Sequence, residues 1–367
     1  MEEPLVKIHY WLYPVSWIYG MGVYLRNKLF DWGYYQSKSF DVPVVCVGNL
    51  AVGGTGKTPH TEYLIKLLQQ TGANVAMLSR GYKRKSKGYV LATEKTDVKR
   101  IGDEPYQIKI KFPGIRVAVD ENRCHGIEQL MKLDNPKVDV VLLDDAYQHR
   151  HVKAGLNILL TAFHRLFSDD TLLPAGRLRE PEDGKNRAHI VIVTKCPEDI
   201  KPIDFNIITK RLKLYPYQQL YFSSFRYGAL TPLFGKKRRT LTSLEKDEQV
   251  LLVTGIASPA PLVEKLEAYT PHVNICQFDD HHDFSSKDLQ MIKERFERME
   301  GNKKLIITTE KDATRLQHHP ALAEALKPYL YVLPIEIEFL QNQQHIFNQN
   351  IIGYVRAHSR NSSLPKR

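Results

Sequence analysis

The chain is 367 residues long, 43% hydrophobic and 25% charged, with a formal net charge of +11. That is ample material for a packed core and suggests two domains, and the lack of a solenoid-period repeat or a long low-complexity tract excludes repeat arrays and disordered chains. The basic excess points to an anionic partner without choosing among nucleic acid, phosphorylated small molecules and an acidic membrane surface, while Cys46, Cys124, Cys196 and Cys276 lack C-x-x-C spacing and fit a reducing, cytosolic compartment.

The first element is residues 10–25, YWLYPVSWIYGMGVYL, which carry no charge and are followed by Arg26 and Lys28. The stretch is too short and too rich in tyrosine for a membrane span, and no small-residue cleavage site follows it. Trp11, Trp17 and Trp32 suit the headgroup zone, so one reading is a helix lying in the interface; the other is an aromatic helix packed on the protein's own core.

Apolar, strand-like runs at 42–47, 74–78, 116–119, 138–143, 156–160 and 190–194 then alternate with helical patterns at 62–70 and 121–133. This alternation predicts a parallel sheet with helices on both faces. Residues 213–246, with Pro216, Pro232 and the basic run 236–239, read as strands and loops joining two domains. A second α/β pattern follows, with strands at 250–254, 273–278, 304–308 and 329–339 and helices at 259–268 and 287–299. The expected division is an N-terminal segment at 1–35, a core at 36–220, a smaller domain at 221–345 and a C-terminal segment at 346–367, whose polar end is expected to fray.

The strongest local signal is the strand that runs into Ala51, Val52, Gly53, Gly54, Thr55, Gly56, Lys57 and Thr58. Strand, glycine-rich turn and helix in succession is the context of a Walker A loop. The glycines let main-chain N–H groups curl around phosphate oxygens, and the helix N-terminus adds positive potential. Lys57 is expected to reach the β- and γ-phosphates, Thr58 to hold Mg²⁺ through its hydroxyl, and Pro59 to fit the first helical turn. Ala51 departs from the glycine usual at the first loop position.

Further on, an apolar strand ends in Asp144 and Asp145, the Walker B arrangement, with Asp144 the first and Asp145 the second expected Mg²⁺ residue. A GTPase needs a guanine-reading [NT]KxD. Thr194-Lys195-Cys196-Pro197 begins that way but places proline where the acid belongs, and Thr309-Glu310-Lys311-Asp312 has the wrong spacing. A ParA-type ATPase would carry lysine at Val52. A kinase remains, and it needs a group to orient or deprotonate the acceptor hydroxyl. Three polar clusters offer one: 102–105, 145–150, and 280–283 ahead of a helix capped by Ser285 and Asp288. The paired histidines of the last cluster lack a third ligand at zinc spacing.

As an ordered set, these residues resemble one family, the tetraacyldisaccharide 4'-kinases of lipid A biosynthesis. The resemblance covers nearly the whole chain. It rests on Gly48-Asn49-Leu50 leading into Val52–Pro59, on Ser79-Arg80-Gly81-Tyr82, and on Gly102-Asp103-Glu104-Pro105. It continues through Asp144-Asp145-Ala146-Tyr147-Gln148-His149-Arg150, where Ala146 and Tyr147 depart from the family's pattern. Leu173 to Pro181, Phe278 to His282 and Thr309 to Asp312 complete the order.

The resemblance implies a P-loop NTPase-like three-layer α/β/α core with a smaller α/β domain joined by a two-stranded linker. It also implies transfer of the γ-phosphate of ATP to the 4'-hydroxyl of an acylated glucosamine disaccharide 1-phosphate, giving lipid IVA. It carries a catalytic Asp–His pair over to Asp103 and His281, and puts Asn49, Arg80, Arg123, His149, Arg179 and Glu180 around the acceptor. The expected partners are ATP, Mg²⁺, the lipid and an anionic membrane, not nucleic acid, at the cytoplasmic face of the inner membrane, and a lipid substrate tips residues 1–35 toward the membrane-docking reading. The alternative is a nucleotide-switched binding module at a membrane surface, which would bind nucleotide without transferring phosphate.

Overall fold

The computed structural model describes residues 8–256, 259–280, 282–317 and 319–359. After a turn of 3-10 helix, Tyr10–Leu12, the chain forms α1 (Tyr13–Asp31), β1 (Val44–Asn49), α2 (Lys57–Gln70), β2 (Val75–Ser79), β3 (Val90–Leu91), α3 (Val98–Ile101) and α4 (Asp103–Lys111). Then come β4 (Arg116–Val119), α5 (Arg123–Met131), β5 (Val140–Asp144), β6 (Leu156–Ala162), β7 (Ile190–Thr194), α6 (Pro202–Leu212) and β8 (Gln219–Tyr227). A second run holds β9 (Thr231–Pro232), β10 (Gln249–Thr254), α7 (Ala260–Glu267), β11 (Val273–Gln277), α8 (Ser286–Arg298), β12 (Lys304–Thr309), α9 (Glu310–Leu316) and β13 (Leu330–Leu333). The chain ends with β14 (Ile335–Phe339) and α10 (Gln344–His358).

Two compact units result: residues up to Phe225 together with those from Ile337 onward, and Arg226–Glu336. The chain leaves the first unit within β8 and re-enters it within β14. The C-terminal helix belongs to the first unit because Phe347, Ile351 and Val355 on α10 are buried in its core.

In the first unit nine strands form one sheet in the order β14-β8-β7-β6-β1-β5-β2-β4-β3. The neighbouring pairs from β8 to β4 are parallel, and β3 runs antiparallel to β4. Alternate residues of each strand face opposite layers, as strand geometry requires. Val45 and Val47 pack with Leu64, Ile65 and Leu68 of α2, Ile108 of α4 and the α10 residues. Val44 and Cys46 pack with Ile127 and Leu130 of α5 and Ile208 and Leu212 of α6. This is the three-layer α/β/α core expected of a P-loop fold. Each fully buried leucine or isoleucine of α2 contributes about 1.5–3 kcal/mol, so the helix behind the phosphate loop is firmly seated.

The second unit is a smaller α/β body with a five-stranded sheet, β11-β10-β12-β13-β9. Leu251 and Val253 pack under α8, while Val250 and Leu252 pack under Leu262 and Leu266 of α7. Ser285 and Asp288 cap α8 reciprocally, Ser285 Oγ accepting from the Asp288 N–H at 3.3 Å and Asp288 Oδ2 from the Ser285 N–H at 2.7 Å. The run 329–339, expected as one strand, is two strands in different sheets. Pro334 separates them, since a residue with no N–H cannot continue a ladder.

The N-terminal helix resolves the choice left by its composition. Ser16, Gly20 and Phe30 face inward, Ser16 Oγ donating to Leu172 O at 3.1 Å and a Cβ on Gly20 meeting Leu172 Cδ1 at 2.7 Å. Tyr19 Oη donates to Arg179 O at 2.7 Å, and Arg150 pairs with Asp31 at 2.7 Å. The opposite face is bare, with Trp17 77% exposed, Ile18 70% and Met21 67%, and so is Trp11 in the turn ahead of it at 78%. The aromatic face therefore does not pack on this chain's own core. Among the described residues no helix is long and apolar enough to cross a membrane.

Candidate active site

β1 ends where the phosphate loop begins, and its register with β5 sets Val47 beside Asp144. The glycine-rich turn and the Asp144-Asp145 pair therefore meet at the same end of adjacent strands, where open α/β sheets place their ligands. Gly53 at φ +111° and Gly56 at φ +85° take left-handed conformations that side chains resist, and Gly56 caps α2. The loop is braced from behind. Asn49, wholly buried, donates from Nδ2 to Thr55 Oγ1 at 2.8 Å, and Thr194 Oγ1 donates to Thr55 O at 2.8 Å.

His60, on the first turns of α2, adds a third brace. Its Nδ1 lies 2.7 Å from Gly56 O and its Nε2 3.0 Å from Ser223 Oγ. A carbonyl only accepts, so Nδ1 carries the proton and Nε2 accepts from the serine. Burial pushes the ring's pKa down from 6.5 to about 4. A folded-state value below the unfolded one gives stability that is complete above pH 6.5 and erodes as pH falls toward 4, by about 3 kcal/mol in all. Urea midpoints of the parent should therefore drop over that window, and those of His60→Gln should drop less. Parallel pH curves for the two proteins would remove His60 from the account.

Acidic groups converge on the loop's mouth. Asp144 is buried and accepts from Thr61 Oγ1 at 3.2 Å. Burial first, then the charges of Glu104 and Asp145, push its carboxyl up to about 7, with Lys57 opposing. Asp145, at φ +49°, lies 3.7 Å from Lys57 Nζ and 3.0 Å from Arg179 Nη1. Among the described residues no group of three or more His, Cys, Asp or Glu side chains is arranged to hold a metal alone. The oxygen donors present nevertheless suit Mg²⁺, which takes one or two carboxylates and completes its shell with water and substrate phosphate. Burial and the neighbouring acids make a negative charge on Asp144 costly by itself, a cost that a divalent cation beside it would offset.

Glu104 is the residue that sequence reasoning passed over. Asp103 and Glu104 occupy the first turn of α4. Glu62 of α2 anchors that helix, accepting from Gln107 Nε2 at 2.9 Å and Lys111 Nζ at 2.6 Å. The signal was present, an acidic pair in the polar cluster 102–105, but which acid approaches Asp144 depends on how α4 docks on α2.

A strap at 171–180 supports the other side. Val52 N–H donates to Arg177 O at 2.8 Å and Arg179 N–H to Leu50 O at 2.7 Å, so the loop's first residues run antiparallel to it. Ala51 is tolerated because it pairs here as extended backbone. Glu180 is 2% exposed and accepts from Arg187 Nη2 at 2.7 Å and Gln148 Nε2 at 3.1 Å. Asn49 and Glu180 are thus engaged inside the protein, behind the loop.

Arg80, Arg123 and His149 gather with Arg26. Burial, then Arg123, His151, Arg26 and Arg80, push His149 down to about 4, and burial together with Arg80 lowers Arg123. Two buried atoms of this cluster, Arg123 Nε and His149 Nε2, have no hydrogen-bond partner among the described residues.

His281 lies outside the described residues. Its neighbour His282 pairs through Nε2 with Asp288 Oδ2 at 2.9 Å, and Lys311 pairs with Asp280 at 2.7 Å. Asp312, wholly buried, accepts from Gly255 N–H at 3.0 Å and Thr309 Oγ1 at 2.7 Å. The Thr309-to-Asp312 stretch thus braces the second unit's own sheet.

Residues 8–353 match the family described as Tetraacyldisaccharide-1-P 4'-kinase. A protein of Bacteroides thetaiotaomicron named tetraacyldisaccharide 4'-kinase is 66% identical over 375 residues, covering 100% of this chain and 98% of that one. One of the same name from Porphyromonas gingivalis is 42% identical over 362 residues, covering 97% and 99%. A solved structure described as the "apo" form of LpxK from Aquifex aeolicus in complex with ATP is similar at a TM-score of 0.72 and 28% identity, covering 95% of this chain and 99% of that one.

Proposed function

The chain belongs to the tetraacyldisaccharide-1-P 4'-kinase family, and from that membership we propose how its residues perform the reaction. Its activity is ATP-dependent phosphorylation of the 4'-hydroxyl of a tetraacyldisaccharide 1-phosphate in lipid A biosynthesis. The convergence of Lys57, Asp144, Asp145 and Glu104 at the mouth of the phosphate loop carries the residue assignment. The loop amides from Ala51 to Gly56 cradle the triphosphate, and Lys57 neutralises charge on the transferring group. Thr58 and Asp144, with Asp145 adjoining, would hold Mg²⁺, which would supply charge neutralisation to the triphosphate.

Asp103 accepts the 4'-hydroxyl proton as the oxygen–phosphorus bond forms and the bond to ADP breaks. His281 shares that proton load, in keeping with the family resemblance. The acceptor's 1-phosphate is taken by Arg80, Arg123 and His149, with Arg179 holding Asp145 in place. The support is a basic cluster in which buried nitrogens of Arg123 and His149 have no partner among the described residues.

The protein works as a peripheral enzyme at the cytoplasmic face of the inner membrane, docked through the bare aromatic face of its N-terminal helix. Support comes from Trp11 and Trp17, both more than three-quarters exposed at 78% and 77%, and from Arg26 and Lys28 behind them. One experiment tests acceptor and docking together. With Mg·ATP and anionic vesicles containing tetraacyldisaccharide 1-phosphate, the protein should float with the vesicles and yield a 4'-phosphorylated lipid. Trp11→Glu/Trp17→Glu should lower flotation by about tenfold or more, since each burial of so large a ring contributes on the order of 2 kcal/mol. Nucleotide-dependent flotation with no phosphorylated lipid would favour the switched binding module instead, and unchanged flotation of the variant would remove the docking face.

A further inference from the structure

Thr194 and Lys195 open a guanine-reading tetrapeptide that Pro197 leaves incomplete, and the phosphoryl-transfer scheme above gives Lys195 no part. The structure nevertheless sets the pair against the phosphate loop. Thr194 is wholly buried at the end of β7, and its Oγ1 binds the Thr55 carbonyl at 2.8 Å. Lys195 follows at φ +57°, a left-handed conformation that costs a lysine on the order of 1 kcal/mol. A Cβ built on Gly54, the fourth residue of the loop, would lie 3.8 Å from Lys195 Nζ, and that ammonium also lies 5.8 Å from the centre of the Phe225 ring.

The Phe225 ring offers this ammonium a cation–π contact but no opposite charge. Among the described residues no carboxylate pairs with Lys195, and burial alone lowers its ammonium from the usual lysine value. A strained backbone thus delivers a desolvated, unpaired cation to the rim of a loop built to hold a polyanion. Such a cation is costly unless an anion meets it. Proline in place of the tetrapeptide's acid removes the carboxylate that would read a base, but it leaves the lysine where a nucleotide would pass.

We propose that Lys195 is a second nucleotide-binding cation, which takes an oxygen of the bound ATP at the stretch of the loop around Gly54, apart from the β- and γ-phosphates held by Lys57. Gly54 suits this role because any side chain there would fill the gap between loop and ammonium. The inference rests on the reading of residues 51–58 as the ATP site and adds a residue to it.

Lys195→Met keeps the aliphatic stem and removes the charge. The expected result is a KM for ATP raised about 10- to 100-fold, the worth of one hydrogen bond to a charged group, with kcat within about threefold of the parent. A merely structural lysine would behave otherwise, so thermal midpoints are read alongside. The nucleotide-free variant should melt at or above the parental midpoint, because an unpaired buried charge has gone, while the increment produced by ATP should shrink. A parental KM and a parental ATP increment would overturn the proposal, as would a lower nucleotide-free midpoint with the increment intact. Lys57→Ala in the same assay separates the two readings. If it loses turnover while Lys195→Met is parental, the ATP site stands and Lys195 leaves it; if it keeps parental turnover, the site itself is wrong.

Discussion

Lys57→Ala should lower the rate of lipid phosphorylation by about 10³-fold, close to 4 kcal/mol of barrier. The magnitude follows from where the ammonium sits. It stands at the N-terminus of a helix whose inner face is fully packed, 3.7 Å from the Asp145 carboxylate, with only 12% of its side chain exposed. A cation held there before substrate arrives needs no reorganisation when charge develops on the transferring phosphoryl group. The fold should survive, because α2 is held by Leu64, Ile65 and Leu68 rather than by Lys57. Matching far-ultraviolet circular dichroism would establish that, and a variant working at the parental rate would refute the site.

Asp103→Ala should lower kcat by about 10²–10⁴-fold and leave the KM for ATP within about threefold, the pattern of a residue that works on the acceptor's proton. Asp103 opens α4, which Glu62 ties to the helix behind the phosphate loop through Gln107 and Lys111. The carboxylate is therefore carried on a rigid element. Asp103→Asn separates orientation from proton transfer, because an amide can still hold the hydroxyl by hydrogen bonding but cannot take its proton. Full activity in the asparagine variant would leave Asp103 as an orienting group. Equal losses in kcat and ATP affinity on removal to alanine would place it at the nucleotide instead.

The parts of this molecule that were legible in sequence are those whose cause is local. A strand, a glycine turn, Lys-Thr and a helix follow one another within residues 44–70, so the phosphate loop could be read directly. The acids at the end of β5 gained meaning because parallel strands buried on both faces appear as continuous apolar runs. What could not be read depends on register between distant segments. No local rule says that residues 177–179 pair with Leu50 and Val52, that Asn49 and Glu180 are engaged behind the loop, or that Glu104 approaches Asp144. The N-terminal helix shows the limit from another side. Its aromatic composition served an inward and an outward face equally well, and only the contacts of Ser16, Gly20 and Phe30 decided which way it lies. Pro334, by contrast, was a local signal for ending a strand, and reading 329–339 as one element overlooked it.

The strap from Thr171 to Glu180 answers to two neighbours at once. On one flank it receives Ser16 and Tyr19 from the helix with the bare aromatic face; on the other it threads beside Leu50 and Val52 and sends Arg179 to Asp145. On the docking face and ATP site proposed above, substitutions along these ten residues should be pleiotropic, disturbing lipid attachment and nucleotide grip together. A chemical lesion in this stretch is recognisable only by a defect that persists on a detergent-dispersed, soluble acceptor.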